Sequence, residues 1–178
     1  MKRPCNIISP PVYSLVTYDE NGKVNMNICT YVSAVSMKPK MYSIAIDYTT
    51  KTYKNLEKSS KVVLQLLSSS NLMVIRKLGK ISGKLFDKDR YLNSYNLLQP
   101  WKNYNVLKDT CALIELEKKS VVNNHGDHAI FFFDVTGFKT ISEKNVLSFQ
   151  DSLLNPNTDY HYIIRAVNES GAAPVSTE

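Results

Sequence analysis

Short β-rich runs joined by turns dominate this chain, and no other feature constrains its fold as much. PVYSLVTY (11–18) is such a run, and DENG (19–22) after it is a strong hairpin-turn signal. VNMNICTYVSAVS (24–36) then runs extended, with small and polar residues among the apolar ones. After the break MKPK, MYSIAID (41–47) reads as a buried strand, and a hairpin followed by a return strand predicts an antiparallel sheet. KVVLQLL (61–67) is another strand. CALIELEKKSVV (111–122) alternates as a half-exposed strand does, and the turn NHGD leads into the long run HAIFFFDVTGFKTI.

Helical period intervenes in few places. In YTTKTYKNLEKSS, Thr49 or Thr50 is placed to cap a helix, with Tyr53, Leu56 and Ser60 at helical spacing. SSSNLMVIRKLGK predicts a second helix, capped by Ser69 or Ser70, with Leu72, Val74, Ile75 and Leu78 apolar and Gly79 at its end. Residues 83–95 read as a loop and a short helix. Six or seven strands and two or three short helices therefore predict a mainly β fold: an antiparallel barrel, closed or nearly so, with helices on its rim. A chain of 178 residues suits one domain, set here at residues 1–155, and the tail at 156–178 loses periodicity and reads as partly disordered.

Composition narrows the function classes. At 43% hydrophobic and 21% charged, the chain is globular in type, and its apolar runs fall short of membrane-spanning length. Its start has no long apolar core before a cleavage site, so no signal peptide is read. Cys5, Cys29 and Cys111 lie far apart without a CxxC, which argues for a reducing, cytoplasmic compartment and for Cys29 and Cys111 as small core residues. A net charge of +6 favours phosphate-bearing ligands. The lysines are interleaved with acids and match no nucleic-acid-binding pattern, so neither nucleic acid nor membrane is expected as a partner.

Several familiar motifs fail. GKISGKL is one residue short of a phosphate-binding loop and ends in Leu85. GxGxxG and GxSxG are absent. His125 and His128 flank Asp127, but zinc needs a further ligand, and residues three apart on a strand point to opposite faces, so no metal site is assigned.

Four blocks in succession carry more. NMNICTYVSAVSMKPKMYSIAID, TTKTYKNLEKSSKVVLQLL, ISGKLFDK and GDHAIFFFDV resemble, in order and spacing, the flavin reductase-like FMN-binding split barrels, flavoredoxins among them. The resemblance covers about residues 11–140. It implies a Greek-key split β-barrel, a homodimer and FMN near the subunit interface, with NADH or NADPH as electron donor and a flavin or an acceptor protein downstream.

It also assigns residues. Thr49, Thr50, Lys51 and Thr52, with Asp47 just before them, would meet the phosphate and ribityl chain. A helix N-terminus offers free N–H groups there, although ordinary capping beside a solvated Lys51 explains the same residues equally well. Asn25, Asn27, Thr30, Tyr31 and Ser33 would line the flavin, Tyr31 standing where the family commonly has Trp. Cross-strand hydrogen bonding is the alternative for the polar residues among them. Lys88 would set a cation near the flavin's N1/C2 edge, the alternative being a surface lysine. Gly126 permits a tight turn, Asp127 bonds the turn backbone, and His128 faces the flavin to orient the hydride donor or relay a proton. His125 is read as a histidine packed at the strand start and satisfied by backbone. Tyr160 or Tyr162 would cap the pocket. Lys38-Pro39-Lys40 departs from the family's usual Asp-Pro-Pro. Two rival readings remain: a flavin carrier without catalysis, and a small basic nucleic-acid binder.

Overall fold

The computed structural model describes residues 9–123 and 126–148, and the main chain of 165–168 and 171–172. The Asp19 carboxylate and main chain close the first turn on Asn21, Gly22 and Lys23, so β1 (Tyr13–Tyr18) and β2 (Val24–Cys29) form the expected hairpin. The extended run at 24–36 forms two strands. It breaks at Thr30–Tyr31, and β3 (Val32–Met37) hairpins with β4 (Lys40–Asp47) across a cis Lys38–Pro39 peptide. There follow α1 (Lys51–Lys58), β5 (Lys61–Leu66), α2 (Leu72–Ile75), α3 (Lys88–Ser94), β6 (Leu98–Trp101), β7 (Tyr104–Leu107), β8 (Ala112–Val122) and β9 (His128–Thr140). Beyond these, β10 (Leu147–Ser148) pairs with β11 (Arg165–Asn168), and β11 with β12 (Gly171–Ala172).

Seven strands form one antiparallel sheet in the order β2-β1-β5-β8-β9-β4-β3. Its two edges are β2 and β3, which are consecutive in the chain. Three residue steps, from Cys29 to Val32, join them. An extended chain covers at most about 11 Å in that distance, so the sheet must curl until its edges nearly meet. This is the antiparallel barrel the sequence predicts, left open along one seam.

Strand alternation builds two cores. Leu15, Val62 and Leu64 point into the barrel, where they meet Ile44, Ile46, Leu116, Ala129, Phe131 and Phe133. Their neighbours Val16 and Val63 point outward, against Val74, Leu78, Leu92, Val106 and Leu107. β1 and β5 are thus buried on both faces, which explains their nearly unbroken apolar runs. Leu56, 0% exposed, carries α1 into the end of the inner core.

Three local readings differ from expectation. Ser68, not Ser69 or Ser70, caps a short 3-10 turn at Ser69–Asn71, because its hydroxyl reaches Ser70 N while Asn71 Oδ1 reaches back to Ser68 N. The expected helix is then one α turn followed by a π turn at Arg76–Lys80, and Leu72 is exposed. The β6–β7 hairpin was not expected from QPWKNYNVL; Lys102, with φ 51°, supplies the left-handed turn that usually advertises itself by Gly or Asn. The reading of 156–178 otherwise falls outside the described residues, as do His125, Tyr160 and Tyr162.

Candidate functional site

Four chain segments converge where the barrel seam meets α1. They are the crossing Thr30–Tyr31, the end of β4 at Asp47, the first turn of α1, and the start of β9 at His128. Asp47 and His128 are register partners, Ala45 N donates to Tyr31 O at 3.0 Å, and Tyr48 N donates to Asp127 O at 3.3 Å. These bonds fix the rings of Tyr31 and His128 edge to face, with centroids 5.7 Å apart. Tyr31 is 56% exposed.

His128 is oriented by its neighbour. Nδ1 lies 2.7 Å from Asp127 Oδ1, so with Nδ1 carrying the proton Nε2 is left as an acceptor facing outward. The same bond holds the Asp127 carboxyl below its ordinary value. Asp127 therefore grips the histidine as well as bonding main chain in the turn, as expected of it.

Asp47 and Thr50 build the helix start. Asp47 Oδ1 accepts from Thr49 N at 2.6 Å and from Thr49 Oγ1 at 2.7 Å; these bonds, the hydroxyl's first, lower its pKa. Thr50 caps α1, accepting from Tyr53 N at 3.1 Å and donating to Asp47 O at 2.8 Å. The Lys51 and Thr52 N–H groups have no acceptor within a helix at these positions.

A polar network lies beneath that first turn. Thr17 Oγ1 donates to Asn25 O and accepts from Asn25 Nδ2 and Asn55 Nδ2, while Asn25 Nδ2 also reaches Thr52 Oγ1 at 3.1 Å. Because Thr17 spends its proton on Asn25 O, the Asn25 amide is fixed with Nδ2 toward Thr17. Its Oδ1 is buried, has no partner among the described residues, and faces Gly83, where an added Cβ would lie 2.2 Å away. The same Cβ would lie 3.2 Å from Lys51 Cδ, so Gly83 brings the loop after the π turn against the α1 corner.

The structure thus gathers Tyr31, Asp47, Thr49, Thr50, Lys51 and His128, with Thr30 in the crossing beside Tyr31. Thr52 and Asn25 are turned inward, 1% exposed each, and act as supports beneath the helix. Asn27 Oδ1 serves Leu15 N across the β1–β2 pair, and Ser33 donates to Ala34 O on the exposed β3. Lys88 is neither a surface lysine nor open to a ligand's edge: it is 5% exposed, with Nζ on two main-chain carbonyls. Asp19, which pairs with Lys51 at 2.9 Å, was missed, because the sequence shows it only as a turn residue 32 positions away. Gly83 and Asn55 were missed for the same reason; their roles exist only where distant segments meet. Cys29 and Cys111 are free and buried as expected, and burial pushes the Cys29 thiol up to about 12. Among the described residues no cluster of His, Cys, Asp or Glu suits a metal ion. No helix among them is long and apolar enough to cross a membrane.

Solved structures share this architecture. The FMN-binding protein from Thermus thermophilus, solved with bound p-hydroxybenzaldehyde, superposes with TM-score 0.72 at 16% identity, over 85% of this chain and 87% of that one. Flavoredoxin from Methanosarcina acetivorans gives 0.70 at 15% identity, over 92% and 90%. The styrene monooxygenase flavin reductase from Pseudomonas putida S12 gives 0.68 at 16%, over 82% and 87%. No curated protein sequence matches this chain. At such identities the superpositions speak for the fold. The family model for the flavin reductase like domain matches residues 6–162, a stretch that contains every segment of the seam corner. The chain belongs to the flavin reductase-like family.

Proposed function

We propose that this chain is an FMN-binding oxidoreductase that takes electrons from NADH or NADPH and passes them to a flavin or another acceptor. One observation carries the reading: an aromatic–imidazole pair and the first-turn N–H donors of α1 stand at one seam of a flavin reductase-like barrel.

The residues present fit the group. A phosphate needs charge-assisted and N–H donors, which Lys51 and the first turn of α1 supply beside the Thr49 hydroxyl. A polyhydroxylated chain needs acceptors, and Asp47 with the exposed Thr49 hydroxyl beside it supplies them. A planar ring needs apolar and aromatic walls, as at Tyr31 and Thr30. Bound there, FMN would supply the two-electron chemistry of hydride acceptance. The chain's own residues bind and orient. Tyr31 walls the ring's position, His128 offers Nε2 to a nicotinamide donor or holds a proton there, and Asp127 keeps the imidazole in place.

The same reading makes the protein a homodimer. β8 ends in exposed residues on both faces, Val121 and Val122, paired with Phe131 and Ile130, and β3 exposes Val35 and Met37. This apolar surface flanks Tyr31 and suits a second copy.

Anaerobic stopped-flow mixing of FMN-loaded protein with NADH and with NADPH tests the activity, bleaching of the flavin's visible absorbance being expected with one or both. A yellow protein that neither nicotinamide bleaches would leave the carrier reading. A protein that takes up no FMN would end both.

A further inference from the structure

Lys88 is a buried cation without a carboxylate partner. Its Nζ donates to Met26 O at 2.8 Å and to Leu78 O at 2.6 Å, and among the described residues it forms no ion pair. The charged groups around it are committed elsewhere or exposed. Lys51 of α1 pairs with Asp19, Lys23 with Asp87, and Asp89 accepts from Val24 N. Arg76, Lys77 and Lys80 of the π turn and Arg90 of α3 are exposed. β2 presents main-chain oxygen to it.

An ammonium withdrawn from water without a counter-ion is costly, and two carbonyls reduce that cost without cancelling the charge. The uncancelled charge is well placed. Met26, which it holds, follows Asn25, and Asn25 Oδ1, Gly83 and Lys51 form one corner. Leu78, its other acceptor, lies in the π turn that leads to Gly83.

We infer that Lys88 is a positioning residue for a phosphate-bearing flavin: it fixes Met26 to Leu78 from beneath and supplies the positive charge that draws the ligand's phosphate onto the Lys51 corner. This rests on the flavin reading of the site. Burial first, and the charge of Lys51 second, lower the Lys88 pKa to about 8. The ammonium is therefore charged below that pH and loses its charge as pH rises through it. A bound anion favours the charged form, so phosphate affinity falls across the same window. A phosphomonoester's second ionisation lies near pH ~6, so the FMN phosphate keeps a constant charge there, and any ionisation of the ring is common to riboflavin.

The test compares FMN with riboflavin, which lacks the phosphate, by fluorescence quenching at about pH 7 and about pH 9.5, on either side of the Lys88 transition. Wild type is expected to prefer FMN, and to lose about tenfold of that preference at the higher pH. Lys88→Met is expected to weaken FMN about tenfold at pH ~7, to leave riboflavin within about twofold, and to abolish the pH step. Lys88→Arg keeps its charge and retains the preference at both pH values. An equal loss for both flavins in Lys88→Met would show a clamp alone and overturn the inference; so would a wild-type preference that stays flat with pH. If Lys88→Met does not fold, the wild-type series and Lys88→Arg decide. Wild-type protein that binds neither flavin overturns the flavin reading itself, and this inference with it.

Discussion

Tyr31 and His128 meet edge to face, 5.7 Å between ring centroids, although 97 positions separate them in the chain. Tyr31 belongs to the crossing between the two sheet edges and His128 to the first residue of β9. β4, which pairs with β9 and donates a hydrogen bond from Ala45 N to the crossing's Tyr31 carbonyl, holds them together.

His128→Ala should slow flavin reduction by nicotinamide about 10²-fold while leaving the FMN dissociation constant within about threefold, as expected of a group that orients or moves a proton. Asp127→Asn should give a smaller loss of the same kind. Rapid-mixing reduction rates and flavin titrations check this; an unchanged rate in His128→Ala would remove the histidine from the reaction.

Thr50→Ala deletes the α1 cap and should cost about 1 kcal/mol in urea unfolding, with Thr50→Ser restoring most of it. If Thr50→Ala proves as stable as wild type, the hydroxyl's bond to Tyr53 N is not a working cap.

Thr17→Val keeps the side chain's shape and removes the hub of three hydrogen bonds, leaving the Asn25 and Asn55 amides short of an acceptor. Unpaired buried groups of this kind cost about 1–3 kcal/mol each, so chemical denaturation should show a loss near the upper end of that range. FMN affinity should fall with it, because Asn25 would no longer be fixed.

Gly83→Ala places a methyl 2.2 Å from Asn25 Oδ1, an atom held by the amide's two other bonds. Neither side yields easily, and overpacking of this kind costs about 1–3 kcal/mol. The loop should move outward and FMN binding weaken; retained affinity and retained melting temperature together would contradict the close approach.

Asp47 has its pKa lowered, by the Thr49 hydroxyl first and the Thr49 N–H second. A carboxyl lowered in the folded state contributes stability at pH above its ordinary value of 3.8, and that contribution is lost as pH falls through its folded value. Asp47→Asn should therefore flatten the acid limb of a stability–pH curve below about pH 4, with little slope change above it. Urea midpoints measured from pH ~6 to pH ~3 decide the point.

The sequence by itself determined the local elements. Period-2 alternation, the turn signal at Asp19–Gly22 and the cap at Thr50 are properties of neighbouring residues, so β1, β4, β5, β8, β9 and α1 stand close to where the residues put them. Block order also carried the family. Tertiary structure alone decided which polar residues line the surface of the seam corner and which lie beneath it. Thr52 resembles Thr49 in sequence, yet Thr52 is turned under the first turn of α1 onto Asn25, while Thr49 lies exposed in the turn before the helix, bonded to Asp47. The run at 24–36 reads as extended; only the curled sheet shows that Thr30–Tyr31 crosses from one sheet edge to the other. Lys88 looks like any surface lysine until Met26 and Leu78, far apart in the chain, bring their carbonyls to its ammonium and bury the charge.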